Sequence, residues 1–468
     1  MKTLSALVVF AIFVFIIPCS RAANAVNIIQ APAGSLVPDV VMDQNGILHM
    51  VYAKDQNAYY IRSTDQGATF TQPVKVNSSG TVEYNMGERG PKLSVGSDGT
   101  IHVAWMDHWS AGVNVHARYA RSQDGGNTFE TLRSISASPG VDGVTVAADG
   151  SNHVVVFWHI MVPVQTQVPQ ATWLHTARSA DNGDSFSVDE NVLISNHNGL
   201  ACSMCMTRAR FGSDGMVYLA FRSGENSIRD FYVLKGNPLE NNFTAVRVNN
   251  DNWNINFCPM VGPELKIGGD GKQYCAFMSD YHVYWAVSDP AVTSFTKHVA
   301  TPLNETDEIF PTAIANSAGT VLFVWQVGPM SVSDSATVKW ALYNADGSFT
   351  GLQSTVGRTF SGTKATAFTG SDDNFYVVVN TDFPVSILPV RDHRAISFFP
   401  NPANDFITLP ATFGKATIRF YDPSGKIVLD KIAFPGKPVD VSKLKHGTYA
   451  MEVRTDRAGN FSTVLVKK

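Results

Sequence analysis

Four sulfur-bearing residues crowd one short stretch of this 468-residue chain, Cys202-Ser203-Met204-Cys205-Met206, and Cys258 and Met260 follow some fifty positions later. Thiolates and thioethers are soft ligands, so Cys202, Cys205 and Cys258 could hold copper(I), or zinc with His197 as a further ligand. The same cysteines could pair as a disulfide, Cys202 to Cys205 or one of them to Cys258. For an exported chain that reading takes precedence, because Cys-x-x-Cys alone does not select a metal. Cys275 falls inside an alternating apolar run and is expected to be buried. A second chemistry is available from aromatic and polar side chains. Trp109, Trp253 and Tyr281 offer faces on which sugar rings stack, and His108, Glu225 and His282 offer groups for hydroxyls. No cofactor is expected beyond that alternative metal.

These residues need a scaffold, and the scaffold is written as a repeat. Three copies of one phrase occur, Arg62-Ser-Thr-Asp-Gln-Gly-Ala-Thr-Phe70, Arg121-Ser-Gln-Asp-Gly-Gly-Asn-Thr-Phe129 and Arg178-Ser-Ala-Asp-Asn-Gly-Asp-Ser-Phe186. Ser and Asp side chains bond nearby backbone N–H groups, Gly supplies a positive φ, and the closing aromatic pins the turn, so the phrase is a turn staple. Degenerate copies run at 235–243, 288–295 and 344–349. Asp-Gly or Asn-Gly turns before alternating apolar strands recur at 45–46, 98–99, 149–150, 214–215 and 270–271, and the pattern returns as Ala318-Gly319 and, in worn form, as Asp373-Asn374. Their spacing of roughly 50 to 65 residues is that of a four-stranded blade.

The expected fold is all-β, a β-propeller of six or seven blades. Six complete blades run from about Val37 to about Gly357. The stretch from Lys364 to Val390 offers three strands, 365–368, 375–379 and 385–388. The segment Ala25–Ile29 resembles the outer strands 73–77 and 245–249 and is expected as the fourth, which favours seven blades and a ring closed by both chain ends.

The phrase resembles the Asp box, S-x-D-x-G-x-T-[FW], of the sialidase superfamily. That resemblance implies a propeller whose inter-blade loops and second-to-third-strand loops gather on one face, around the central channel. If the likeness extends to activity, it implies an exo-acting glycoside hydrolase with an arginine cluster gripping a sugar carboxylate, a Tyr nucleophile activated by Glu, and an acidic proton donor. Arg89, Arg208, Arg222 and Arg229 are the candidate cations, Asp107 or Asp230 the acid, and Tyr84 or Tyr281 the nucleophile. The family's early Arg-Ile-Pro phrase is absent, and each arginine has a plainer use in an ion pair with carboxylates such as Glu225 and Asp230. Two alternatives stand beside hydrolysis: a non-catalytic binding propeller with a disulfide-stapled mouth, or a soft-metal site built from Cys202, Cys205 and Cys258. The stretch Cys202–Asp280 also resembles part of many uncharacterised bacterial sialidase-like repeat proteins.

At the N-terminus, residues 1–22 combine Lys2, an apolar run from Leu4 to Ile17 and the small-residue site Ser20-Arg21-Ala22, which reads as a cleaved secretory signal. The run is too short for a membrane span. The propeller is assigned to 23–392. Residues 393–468, with Phe399-Pro-Asn-Pro-Ala-Asn-Asp405, Ile418-Arg-Phe-Tyr-Asp-Pro-Ser-Gly-Lys426 and Gly447-Thr-Tyr449, suggest a small β-sandwich. This module resembles the type A C-terminal sorting domain of the type IX secretion system in Bacteroidota, which implies that export machinery as partner and a secreted or cell-surface location. A net charge of −4 with interspersed signs gives no footprint for nucleic acid. The expected ligand is an extracellular glycan or glycoprotein.

Overall fold

The computed structural model describes residues 24–84, 88–109, 114–161, 171–299, 307–328, 335–360, 364–380, 403–409, 415–421, 427–434, 436–455 and 459–467. The expected signal (1–22) and the expected strand 385–388 lie outside the described residues. Seven sheets follow one another along the chain up to residue 380, six of them complete antiparallel blades. Their first strands are Leu36–Met42, Lys92–Val95, Val141–Ala148, Arg208–Phe211, Glu264–Ile267, Glu308–Ala315 and Thr366–Thr369. Each packs on the next, and the last packs on the first, so these strands form a closed ring around the axis.

The expected closure by the N-terminus is present, with a different place for the strand. Val26–Gln30 pairs with Phe375–Val379, the second strand of blade 7, and runs parallel to it. It therefore occupies the third-strand position, directly beside the second strand, and not the expected fourth. Its apolar residues Val26 and Ile29 are buried on the two neighbouring blades, and this packing decides the register.

The staples do more than bend the chain. Asp65 accepts the Thr69 N–H at 2.8 Å and the Thr69 hydroxyl at 2.6 Å, while Ser63 Oγ accepts the Gly67 N–H at 2.8 Å. The copies at Asp124 and Asp181 repeat the pattern. The phrase's leading arginine then crosses to the next blade, as Arg121 donates to the Asn182 carbonyl at 2.6 Å. Gly126 and Gly183, at φ +87° and +86°, lie so close to Tyr60 and Tyr119 of the preceding blade that a Cβ would sit 2.0 Å from either ring system. A glycine is thus required both for backbone conformation and for blade-to-blade contact.

Hydrogen bonds from Ser63 and Thr69 hold Asp65 at a pKa of about 2, and bonds led by Thr128 and Ser185 do the same for Asp124 and Asp181. Because the folded values are depressed, this stabilisation is present above the ordinary carboxylate value of ~3.9 and is lost as pH falls towards 2. The variant with Asp65, Asp124 and Asp181 all changed to Asn is expected to lose less melting temperature between pH 5 and pH 2 than the native chain. Parallel melting curves for the two proteins would contradict this.

The C-terminal residues build their own sheet from Ala416–Tyr421, Ile427–Ala433, Gly447–Thr455 and Gly459–Lys467, with a two-stranded ribbon from Phe406–Thr408 and Pro438–Asp440. Ile407, Ile418, Phe420, Met451, Val453 and Leu465 fill a separate core.

Candidate functional site

A short strand, Leu200–Cys202, leaves the approach to blade 4 and pairs with Ala171–Trp173 at the loop end of blade 3. A turn follows, closed by the Cys205 N–H donating to the Cys202 carbonyl at 3.3 Å, and it brings both cysteines to one side. The loop from blade 4 to blade 5 delivers Cys258 to the same point. The three Sγ atoms lie 2.9 Å (Cys202 to Cys258), 3.2 Å (Cys205 to Cys258) and 3.6 Å (Cys202 to Cys205) apart, and all three residues are buried. Met161, Met204 and Met260 pack around them. Cys275 lies apart from the cluster, fully buried in the second strand of blade 5, as expected.

The backbone around these thiols is pinned by charged and polar side chains. Arg89 donates to the Met204 carbonyl at 3.0 Å, His159 Nε2 is 2.8 Å from the Cys205 carbonyl, and Arg229 Nε donates to the Phe257 carbonyl at 3.2 Å. The Met260 N–H points at Cys258 Sγ, 3.4 Å away. Burial raises all three thiols. At Cys202 it is outweighed by hydrogen bonds from the other two and by the guanidiniums of Arg229 and Arg222, which together hold that thiol well below its ordinary value. Cys205 is pushed up to about 12, and Cys258 also rises.

The four candidate arginines do not converge on an open pocket. Arg89 is buried in a two-pronged pair with Asp142, its Nε 2.9 Å from Oδ1, and its guanidinium lies 4.7 Å from the Trp109 ring centre. Arg208 stands on the inner strand of blade 4 with Nε and Nη2 on Glu264 at 2.8 and 2.9 Å and Nη1 on Asp39 at 3.0 Å. Arg222 donates to the carbonyls of Arg229, Val261 and Met278. Arg229 is fully buried, and neither its Nη1 nor its Nη2 has a hydrogen-bond partner among the described residues. The carboxylates expected to neutralise them are engaged elsewhere: Asp230 with Arg247 and Asn249, Glu225 with Asn198 and, at 3.7 Å, His197. Asp107 is paired with Arg118 at 2.7 Å.

Tyr281 is 53% exposed, its ring edge-on to Trp253 at 5.3 Å. It and Asp280 form the hairpin turn of blade 5 at φ +64° and +48°, the left-handed region that an aromatic residue rarely occupies. His282 follows with Nδ1 3.4 Å from Glu308. His108 and Trp109 begin the blade 2 loop, the His108 ring 5.5 Å from Tyr84 and the Trp109 N–H on Glu83 at 3.0 Å. Trp173 and Phe257, each 48% exposed, add two more aromatic faces at this end of the ring. The remainder of the third-blade loop, 162–170, lies outside the described residues, as do Glu305, Thr306 and Met330.

One assembly was not anticipated. Asp39, Glu88, Lys92, Arg208, Arg210, Glu264, Lys266 and Lys364 meet on the axis, five cations against three carboxylates. Lys364 bridges Glu88 at 3.1 Å and Glu264 at 3.2 Å. Burial drops Lys92 to about 7 and Lys266 to about 8, while Arg208, Lys364 and the other cations outweigh burial to keep Glu264 well below its ordinary value. The only sequence signal was the presence of charges in otherwise apolar inner strands, such as Lys92, Arg208 and Arg210, or Glu264 and Lys266.

Residues 397–468 match the family profile described as the secretion system C-terminal sorting domain. The chain therefore carries a sorting domain that engages the secretion machinery, and it is a secreted or cell-surface protein. No curated protein matches the sequence. Among solved structures it is similar in fold to a protein of unknown function from Dyadobacter fermentans (14% identity, 66% of this chain and 94% of that one, TM-score 0.43). It is likewise similar to the Hadza microbial sialidase Hz136 (13%, 71% and 73%, TM-score 0.42). A third is the α-L-arabinofuranosidase Arb93A from Fusarium graminearum (12%, 70% and 99%, TM-score 0.45). No helix among the described residues is long and apolar enough to cross a membrane.

Proposed function

We propose that this exported propeller binds an extracellular glycan or glycoprotein at the loop end of blades 3 to 5 and does not cleave it. The observation that carries the reading is Tyr281, an exposed aromatic held edge-on to Trp253 by a turn of left-handed backbone. Backbone strain of this kind persists where the surroundings impose it and is concentrated at ligand sites. Trp173 and Phe257 extend the aromatic surface, and polar neighbours such as Asn254 and His282 supply groups for hydroxyls. Hydrolysis of the sialidase type needs free guanidiniums around a sugar carboxylate. Here Arg89 and Arg208 are bound to carboxylates, Arg222 to carbonyls, and Arg229, though its Nη atoms are unpaired among the described residues, is fully buried, while the candidate acids Asp107 and Asp230 are bound to arginines.

Screening the chain against immobilised glycans, followed by calorimetry with the best ligand, tests this directly. Tyr281→Ala and Trp173→Ala are each expected to weaken binding roughly tenfold, about the value of one aromatic stacking contact. Release of sugar from a fluorogenic sialoside or from mucin, abolished by Arg222→Ala, would replace binding with catalysis.

A further inference from the structure

We propose that Cys202, Cys205 and Cys258 bind one copper(I) ion as a three-thiolate site. Three sulfurs drawn from two loops lie within 3.6 Å of one another, in a pocket lined by methionine. A disulfide would join two of them and leave the third thiol stranded against the bond. It would also be neutral, and the surroundings call for negative charge. Arg229 is fully buried with two nitrogens lacking partners, and its Nε is bonded to the carbonyl of Phe257, the residue before Cys258. An unpaired guanidinium in that position is costly unless an anion faces it.

The charge count favours a monovalent ion. Three thiolates with copper(I) carry −2, which the guanidiniums of Arg222 and Arg229 balance, whereas zinc would leave one positive charge over. Coordination points the same way: zinc takes four ligands, and among the described residues the group contains these three cysteines and no imidazole or carboxylate. Soft sulfur ligands select copper(I). The outer groups are those of a built metal site, since the Met260 N–H points at Cys258 Sγ and Arg89, His159 and Arg229 hold the carbonyls of Met204, Cys205 and Phe257. On binding, whatever S–H protons the three cysteines carry leave to solvent and three Cu–S bonds form, with no change in the oxidation state of the metal.

The test uses the purified full chain, reduced, freed of metal and titrated anaerobically with copper(I) against a chromophoric copper(I) chelator. One ion per chain is expected to be withheld from the chelator, with thiolate-to-copper absorption in the near ultraviolet. Cys202→Ser, Cys205→Ser and Cys258→Ser should each abolish retention, while Cys275→Ser keeps it. Arg229→Met should weaken retention by ~10–100-fold, as loss of an outer-shell partner does. Should the serine variants fail to fold, alkylation of the native chain decides the matter, because copper must protect these three thiols together. Three outcomes overturn the proposal: the chelator stripping all copper, zinc displacing copper from the site, or a Cys202–Cys258 disulfide that persists in the reduced chain.

Discussion

Glu264→Gln is expected to lower the stability of the chain by ~3–5 kcal/mol at pH 7, the usual cost of removing one partner from a buried ionic assembly. Glu264 receives both nitrogens of Arg208 at 2.8 and 2.9 Å and Lys364 at 3.2 Å, and it is the nearest carboxylate to Arg210 at 3.6 Å and Lys266 at 3.8 Å. Glutamine keeps the shape and removes the charge, so a surplus that is already positive grows by one. The loss should shrink at pH 9. Lys266 has a folded value of about 8 and Lys92 of about 7, both below that of an unfolded lysine. Their charged forms therefore cost stability below those values, and the cost is relieved as pH rises towards ~10.4, where the unfolded chain also loses its protons. Denaturant midpoints at pH 7 and pH 9 read both effects. Equal midpoints for variant and native chain at pH 7 would mean that the axial charges do not hold the ring.

Arg89→Met, by the same principle, should cost ~3–5 kcal/mol by leaving Asp142 buried without its cation. Adding Asp142→Leu should recover most of that, because an apolar pair of similar volume has no charge to satisfy. Recovery should stop short of complete, since the Met204 carbonyl loses the Arg89 donor and the Gly143 N–H loses Asp142 Oδ1 at 2.8 Å. The double variant also separates two roles for Arg89. If the residue is structural, ligand binding at the aromatic rim survives in the stable double variant. If Arg89 holds ligand, binding is lost although the fold is restored. Thermal unfolding of the two singles and the double, with calorimetry on the double, gives the answer.

Much of the architecture was legible because it is local. An Asp, a Ser and a Gly within five residues close their own turn, and an apolar alternation buries one face of its own strand, so blades and staples could be read from short windows. The closure of the ring was legible as a missing strand. The place of that strand was not, because the choice between third and fourth position rests on what Val26 and Ile29 pack against. The meeting of Cys202 and Cys205 with Cys258 was legible as equivalent loops on adjacent blades. The candidate arginines were misread in their partners: Arg89 goes to Asp142 and Arg208 to Asp39 and Glu264, not to Glu225 or Asp230.

By itself the sequence determined the repeating blade, the turn chemistry, the secretion sorting module and the supply of soft ligands, since each depends on residues close together in the chain. Only the tertiary structure decided which charges neutralise one another. Ring closure brings inner strands to one axis from positions as distant as Glu88 and Lys364, and in that low-dielectric space a pair forms by proximity across blades, whatever its separation in sequence.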